Sequence, residues 1–265
     1  MSASDESVLL SSDDGGVRTL TLNRPDRKNA INAQLWIELA DALRAAARDD
    51  LRALVITGAG GAFCSGADLS TPEDIHPRHK LRRLTDVALA LHELTIPTIA
   101  KVTGVAVGAG WNLALGCDFV ATPESRFCQV FSKRRLSVDL GGSWLLPKLV
   151  GLQQAKRLVL LAETIDADEA RSLGLVTWLK PAAEIDEFVA DLARRLAAGP
   201  PVALAQSKGL LNDGADATLR EALANEARAQ PGNFATADSM EAYAAFAEKR
   251  EPAFTGRWAV SPRSE

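Results

Sequence analysis

The sequence predicts an α/β protein with a helical C-terminal part, and three observations lead to this prediction. In the first half of the chain, segments with the two-residue periodicity of strands alternate with segments of helical spacing. That order is typical of an α/β core with parallel strands. After about residue 147 only helical patterns remain. A chain of 265 residues with 47% hydrophobic residues can also bury a substantial core without disulfides or metals.

The elements of the first half follow from side-chain periodicity and from the positions of glycine and proline. Gly15 and Gly16 predict a hairpin turn ahead of a strand at residues 17–22. Asn32 is placed to cap the next helix, whose apolar residues recur between positions 35 and 46. The remaining predicted elements are a strand at 51–57, a helix at 81–94 closed by Pro97, a strand at 98–103 and a short helix from Gly108 to Leu115.

The second half reads as a series of helices separated by glycine and proline. The predicted helices cover residues 152–162, 167–173, 184–198, 201–213, 216–230 and 234–249. We therefore expect an α/β core at residues 1–198 and a helical region for assembly at residues 199–265.

Composition excludes several classes of function. A net charge of −4 and a pI near 5.5 give no basic surface for nucleic acid, so we expect no nucleic-acid partner. No run of about 18 apolar residues occurs, and the acidic N-terminus lacks the layout of a signal peptide. Cys64, Cys117 and Cys128 are odd in number and lack C-x-x-C spacing, which is typical of a reducing compartment. These observations predict a cytoplasmic protein without a membrane span.

Familiar cofactor motifs do not fit the sequence. Gly61 and Gly66 have the spacing of a phosphate loop, but Ala67 and Asp68 stand where lysine and serine or threonine would be required. The glycines at 104–110 do not form the G-x-G-x-x-G of a dinucleotide site.

Metal and nucleophile motifs are also lacking. His76 and His79 are separated by Pro77 and have no supporting ligand motif, so we expect no metal site. Cys64 has no histidine nearby in sequence, and a small apolar filler is the preferred interpretation over a nucleophile.

Two glycine-containing loops remain as candidates for binding a developing negative charge. Residues 63–69 follow one strand, and residues 108–112 follow another strand and begin a helix. Small residues allow the backbone to approach a ligand closely, and free N–H groups can bind an anion. Two N–H groups that converge on one carbonyl oxygen would form an oxyanion hole. The alternative is that these glycines only permit close packing of strand and helix.

These loops and the segments around them resemble the crotonase superfamily, the enoyl-CoA hydratase/isomerase family. The resemblance covers nearly the whole chain and rests on the order and spacing of seven segments. They are LNRPDRKNA at 22–30, AFCSGAD at 62–68, KVTGVAVGAG at 101–110, CD at 117–118, GGSWLLP at 141–147, ARSLGLV at 170–176 and FAEKREPAF at 246–254.

The resemblance implies a crotonase-like spiral of ββα units with a C-terminal helical trimerisation region, often as a dimer of trimers. It implies an acyl-CoA thioester substrate and no cofactor besides the coenzyme A of that substrate. The backbone N–H groups of Ala67 and Ala109 would hold the thioester oxygen. Positions that match the substrate and coenzyme A site are Lys28, Ala30, Gly66, Asp68, Leu69, Gly110, Asn112, Phe131, Phe246 and Lys249, the last two from a neighbouring subunit. For Lys28 and Lys249, ordinary surface charge is the alternative.

Departures from the family pattern bear on the reaction. Hydratases of the family use two glutamates, and here Asn112 and Phe131 stand in their positions. Hydration needs a base and an acid, so a simple hydratase is not expected. Asp139 remains, and it matches an aspartate that transfers protons in isomerases of the family, above all in the phenylacetate-pathway subgroup. We therefore expect double-bond isomerisation of an enoyl-CoA, from β,γ to α,β, with Asp139 as the proton shuttle.

Several alternatives stay open at this point. The protein could be an enoyl-CoA hydratase, an acyl-CoA thioester hydrolase or a catalytically weak acyl-CoA-binding homologue, and Asp139 could serve as a helix N-cap. Burial beside Phe131 and Trp144 is expected to raise the Asp139 pKa, whereas pairing with Arg135 would lower it. Trp111, next to the second loop, either restricts the acyl space or packs in the core.

Overall fold

The computed structural model describes residues 7–70 and 75–259, and its strands form two sheets within this part of the chain. The larger sheet has the order β1-β2-β3-β4-β6-β9, and the smaller has the order β5-β7-β8. In the larger sheet β1 pairs antiparallel with β2, and all other pairs are parallel. The strands are β1 Leu9–Asp14, β2 Val17–Leu22, β3 Ala53–Gly58, β4 Thr98–Lys101, β5 Gly104–Val107, β6 Phe119–Thr122, β7 Ser125–Cys128, β8 Thr164–Asp166 and β9 Trp178–Leu179.

Helices cover both faces of the larger sheet. They are α1 Ala33–Ala46, α2 Pro77–His92, α3 Ala109–Leu115, α4 Gly142–Leu161, α5 Ala167–Ser172, α6 Ile185–Ala198, α7 Pro201–Gly214, α8 Leu219–Phe234 and α9 Ala237–Glu248. In β3, Leu54 and Ile56 join the main core, whereas Val55 packs in a second cluster with Ile185 of α6. Because both faces of β3 are covered, its residues are apolar at successive positions.

The beginning of the chain folds as the sequence predicts. Asp14 pairs with Val17 across the hairpin turn. The Asn32 side chain accepts a 2.9 Å hydrogen bond from the Leu35 N–H, which confirms it as the N-cap of α1. Helix α2 begins at Pro77, four residues earlier than predicted, because proline is well suited to the first helical position.

In the middle of the chain one strand was missed and one helix was predicted too short. The strand predicted at 98–103 is found as β4, whereas β5, which begins at Gly104 and belongs to the other sheet, was not predicted. Helix α4 begins at Gly142, ten residues before the predicted position, and includes Pro147. It is kinked at Gly151, whose φ of 74° is not helical, and the prediction therefore found only the part after the kink. The short strands β6 to β9 were missed because two to four residues carry little periodicity.

Helices α7 to α9 follow the core and carry many exposed apolar side chains. These are Leu211, Leu219, Leu223, Phe234, Met240, Tyr243 and Phe246. Among the residues that the structure describes, no helix is long and apolar enough to cross a membrane.

Candidate active site

The first candidate loop, residues 63–69, follows β3 and lies along β5. Phe63 and Cys64 donate backbone hydrogen bonds to Thr103 and Val105, at 2.8 and 3.0 Å. Gly66 has a φ of +97°, and a Cβ atom there would lie only 2.9 Å from the Val107 carbonyl oxygen. Glycine is therefore needed at this position both for its backbone conformation and for the close approach to β5.

The second candidate loop joins β5 to α3 and contacts the first. A Cβ atom on Gly110 would lie 2.6 Å from the Cys64 Sγ atom, so the glycine lets α3 pack directly on the first loop. Cys64 is fully buried, and burial raises the pKa of its thiol to about 12. This supports the interpretation of Cys64 as a packing residue, since a neutral thiol is a poor nucleophile.

The backbone N–H groups of Ala67 and Ala109 donate no hydrogen bond to residues 7–70 or 75–259. Ala67 lies in a parallel bridge to Ile31, in which Gly66 accepts from Ile31 and Asp68 donates to it. The N–H of the residue between them therefore faces away from Ile31. Ala109 is the first residue of α3, and such an N–H group has no partner inside the helix.

These two residues line one cavity of about 400 Å³ together with Asp139. Gly66, Leu69 and Phe131 belong to the same lining, and Arg134 is the only other charged residue of the described chain that contributes to it. The cavity therefore combines two free N–H groups, one carboxyl group and an aromatic wall. It brings together six of the residues predicted for the site.

Asp139 is the carboxyl group of the cavity, and burial raises its pKa to about 6. Its Oδ1 atom is buried and has no hydrogen-bond partner in the described part of the chain. Loss of hydration without a compensating partner disfavours the charged form, which is the physical cause of the raised pKa.

The structure excludes two of the alternatives that the sequence left open for Asp139 and corrects one expectation about its surroundings. Asp139 is not a helix cap, because Gly141 is the N-cap of α4 and no side chain caps it. Arg135 is exposed and forms no ion pair with Asp139, so burial alone perturbs that carboxyl group. Trp144 is 41% exposed and lies outside the cavity lining, with its ring 5.1 Å from that of His92. Phe131, which is 4% exposed, lines the cavity together with Asp139, as expected.

Asn112 is 1% exposed and contacts the backbone of Asp139. Its Nδ2 atom donates a 2.8 Å hydrogen bond to the Asp139 carbonyl oxygen, and its Oδ1 atom accepts a 2.9 Å bond from Gln129 Nε2. It does not line the cavity. Sequence reasoning missed Gln129, although a lone amide in the apolar run from Phe127 to Phe131 was a signal that could have found it.

The Asp68 carboxylate is engaged within the first loop. It pairs with Arg24 at 2.8 Å and accepts hydrogen bonds from the Ser70 hydroxyl and N–H groups. The hydrogen bonds from Ser70 contribute most and the Arg24 pair contributes less, and together they lower the pKa of Asp68 to about 2. Asp68 does not line the cavity, and its observed contacts hold the loop together.

The other residues predicted to bind coenzyme A lie outside the cavity. Lys28 is exposed, and its carbonyl oxygen accepts a bond from the Ser65 N–H group. The Ala30 carbonyl oxygen accepts from Arg24. Phe246 is 87% exposed on α9, and Lys249 is exposed at the end of that helix.

The remaining candidates from the sequence have structural surroundings. Trp111 is fully buried, with its ring 5.3 Å from that of Phe127, and it belongs to the core and does not line the cavity. The His76 side chain accepts a hydrogen bond from the Arg78 N–H group at the start of α2. Within residues 7–70 and 75–259, no group of three or more histidine, cysteine or acidic side chains could hold a metal ion.

Comparison with known proteins agrees with the resemblance seen in the sequence. The sequence model of the enoyl-CoA hydratase/isomerase family matches residues 12–257. A Rhodobacter capsulatus protein named "Probable enoyl-CoA hydratase" is 41% identical over 91% of this chain and 95% of its own length. The 1,2-epoxyphenylacetyl-CoA isomerase of Escherichia coli is 38% identical over 94% and 98%. The crystal structure of enoyl-CoA hydratase from Bacillus anthracis superimposes with a TM-score of 0.91, at 29% identity, and covers 95% of this chain and 100% of that one.

Proposed function

The chain belongs to the enoyl-CoA hydratase/isomerase family, and we propose that it moves the double bond of an enoyl-CoA from the β,γ to the α,β position. The observation that carries this proposal is that Asp139 lines one cavity with the free N–H groups of Ala67 and Ala109. Of the described residues that line this cavity, Asp139 is the only one with a carboxyl side chain. A double-bond shift needs one group that removes and returns a proton, whereas hydration needs a base for water and an acid for carbon.

In the proposed reaction, the Asp139 carboxylate removes a proton from C2 of a 3-enoyl-CoA. The electron pair of that C–H bond spreads over the thioester oxygen, C2 and C4 as a dienolate. Ala67 and Ala109 donate hydrogen bonds to the oxygen, where the negative charge develops. Protonated Asp139 then returns the proton to C4, which leaves the double bond between C2 and C3. Atoms and charge balance without a cofactor, and the coenzyme A of the substrate is unchanged.

The raised pKa of Asp139 suits this role. A base works best when its pKa lies near the operating pH, because it is then largely ionised and still binds a proton well. With a pKa of about 6, Asp139 is mostly ionised at neutral pH. We therefore expect kcat/KM to fall as the pH decreases through about 6.

We also propose that the active form is a homotrimer or a dimer of trimers. The exposed apolar side chains of α7 to α9 would be covered by a second copy of the chain, since exposed apolar patches of this kind mark interaction surfaces. In that assembly Phe246 and Lys249 would reach the coenzyme A of a neighbouring subunit, and Lys28 and Ala30 would contact it from the same subunit. Light scattering after gel filtration tests the proposed state.

Product analysis with purified protein tests the proposed reaction. The substrates are a 3-enoyl-CoA, a 2-enoyl-CoA and the 1,2-epoxide of phenylacetyl-CoA, the last because of the name of the Escherichia coli relative. We expect the 3-enoyl-CoA to become the 2-enoyl-CoA, without 3-hydroxyacyl-CoA or free coenzyme A. Turnover of the epoxide alone, with no double-bond shift in the 3-enoyl-CoA, would contradict the proposal.

Enoyl-CoA hydration is the second candidate, and the name of the 41% identical Rhodobacter capsulatus relative favours it. In that case Asp139 would have to activate water and also serve the carbon proton. The replacement of both glutamate positions by Asn112 and Phe131 argues against it, since neither side chain exchanges protons at neutral pH. Formation of 3-hydroxyacyl-CoA from the 2-enoyl-CoA would establish hydration, and release of free coenzyme A would establish thioester hydrolysis.

A further inference from the structure

Two buried amide side chains form a hydrogen-bonded chain that ends at the backbone of Asp139. Gln129 Nε2 donates to Asn112 Oδ1 at 2.9 Å, and Asn112 Nδ2 donates to the Asp139 carbonyl oxygen at 2.8 Å. Gln129 is fully buried and Asn112 is 1% exposed. At this depth each of these bonds replaces hydration that the amides have lost.

The direction of the hydrogen bonds gives each amide a distinct role. Because Gln129 donates an N–H to it, the Oδ1 atom of Asn112 must face Gln129. The NH₂ group of Asn112 is then left for the Asp139 carbonyl oxygen. Without the Gln129 donor, the buried Asn112 oxygen would lose its partner, and the hydrogen bond to the Asp139 carbonyl would be left alone to hold the amide in place.

The backbone that follows Asp139 needs such an anchor. Leu140 and Gly141 have φ values of +48° and +77°, so two successive residues adopt the left-handed conformation. For leucine this conformation is unfavourable and persists only where the surroundings enforce it. The Asp139 carbonyl also accepts a 3.0 Å bond from the Gly142 N–H, which closes the turn.

Space at the next residue is as restricted as the conformation. A Cβ atom on Gly142 would lie 2.4 Å from Asn112 Nδ2 and 2.7 Å from the Val138 side chain. The turn at residues 139–142 is thus packed directly on the Asn112 amide. A displacement of that amide would move the turn, and with it the Asp139 side chain that lines the cavity.

We propose that Asn112 and Gln129 are positioning residues that fix the 139–142 turn and thereby hold the Asp139 carboxyl group in the cavity. The proposal rests on the proposed function for its kinetic consequences, because the reaction needs Asp139 at the substrate. Asn112, which stands in the position of the first missing glutamate, thus acts on the backbone of the proton shuttle and exchanges no proton itself.

Two substitutions remove the hydrogen-bonded chain at different points. Gln129→Met keeps the approximate volume and removes the donor that orients Asn112. Asn112→Asp keeps the shape and the acceptor, but its carboxylate cannot donate to the Asp139 carbonyl oxygen. Because a small misplacement of a catalytic group lowers the rate strongly, we expect kcat to fall about 10- to 100-fold with KM changed less than about 3-fold.

Thr122→Val is the matched control for a general loss of stability. Thr122 is fully buried in β6, and its hydroxyl donates a 2.8 Å bond to the Val102 carbonyl oxygen. It does not line the cavity. We expect this variant to melt at a lower temperature, as Gln129→Met does, but to keep the wild-type kcat. The double variant of Gln129→Met and Asn112→Asp is expected to lose no more than the worse single variant, since both break the same chain of hydrogen bonds.

An NMR titration of Asp139 tests the positioning without turnover. With ¹³C-labelled aspartate, the Asp139 signal is assigned as the one that Asp139→Asn lacks. In Gln129→Met the loosened turn exposes the carboxyl group to water, and we expect its pKa to move by about one pH unit towards the ordinary aspartate value. In Thr122→Val it should stay as in the wild type.

The outcomes separate this proposal from the proposed function. A folded Gln129→Met protein with wild-type kcat and a wild-type Asp139 titration would overturn the positioning role. If wild-type protein shifts no double bond, the proposed function fails, while the titration still decides whether the two amides hold Asp139. A lower kcat in Thr122→Val equal to that in Gln129→Met would also overturn the proposal, because general destabilisation would then explain both.

Discussion

Replacing Asp139 by asparagine is expected to stabilise the protein above pH 7. The pKa of Asp139 rises from its ordinary value of 3.8 to about 6 on folding, and the cause is burial. The folded protein therefore binds this proton more tightly than the unfolded chain does. Its stability consequently falls as the pH rises from about 4 to about 6, and the full penalty persists above that range.

The size of the effect follows from the two pKa values. The rise of the Asp139 pKa from 3.8 to about 6 corresponds to about 3 kcal/mol in the free energy of unfolding, and partial exposure of the side chain reduces this value to roughly 1–2 kcal/mol. The asparagine amide is also poorly hydrated in the same place, which offsets part of the gain. We expect a net gain of about 1 kcal/mol, or roughly 2 °C in Tm for a chain of this length.

The assay is thermal unfolding of wild type and Asp139→Asn at equal protein concentration, at pH 4.5 and at pH 8. Asp14→Asn, which changes an exposed carboxylate on β1, is the control for the loss of one negative charge at the surface. We expect Asp139→Asn to melt higher than wild type at pH 8, with most of that advantage lost at pH 4.5. If Asp139→Asn melts at a lower temperature than wild type at pH 8, burial is not the cause of the raised Asp139 pKa. The same conclusion follows if the difference in Tm between the two proteins is equal at both pH values.

Three further predictions concern the loops. Gly66→Ala is expected to lower kcat at least 10-fold and to destabilise the fold by about 1–3 kcal/mol, because its Cβ atom would lie 2.9 Å from backbone. Its matched control is Gly209→Ala in α7, where a Cβ atom would have nothing within 4 Å, and this variant should keep the activity and raise Tm. Asp68→Asn is expected to destabilise the fold by about 1–2 kcal/mol at pH 7. Hydrogen bonds from Ser70 lower the Asp68 pKa to about 2, so the difference in stability from wild type should shrink as the pH falls from about 4 through 2. Urea unfolding across this pH range measures the difference. Cys64 should resist alkylation at pH 8 in native protein and react once urea is added, and rapid native labelling would contradict its buried, neutral state.

The sequence predicts the elements whose local signals are strong. The Asn32 cap, the Gly15–Gly16 turn and the helices of the second half follow from residue type and periodicity, and most of them are found within a few residues of the predicted bounds. The division of residues 98–107 between two sheets could not be predicted, because strands of four residues acquire their partners only in the folded chain. Helix α4 was predicted too short, since its kink at Gly151 has the local signal of a helix end.

The candidate site was predicted in outline. Residues matched to family motifs identified Ala67, Ala109 and Asp139, which the structure brings to one cavity. The surroundings of Asp139 could not be inferred, because they depend on which side chains pack over it. Arg135 is only four residues away in sequence yet forms no pair with it, whereas Gln129 is linked to the Asp139 backbone by hydrogen bonds through Asn112. Sequence distance is a poor guide where a turn with two left-handed residues redirects the chain.

If Asp139 transfers the proton, the Asp139→Asn variant must lose activity on a 3-enoyl-CoA. We expect kcat to fall about 10²- to 10⁴-fold, the range for loss of a general acid–base group. Binding of a saturated acyl-CoA, measured by calorimetry, should stay within about 3-fold, because the N–H groups of Ala67 and Ala109 are unchanged. If the variant binds the thioester and shifts the double bond at a rate within about 10-fold of wild type, a group other than Asp139 transfers the proton.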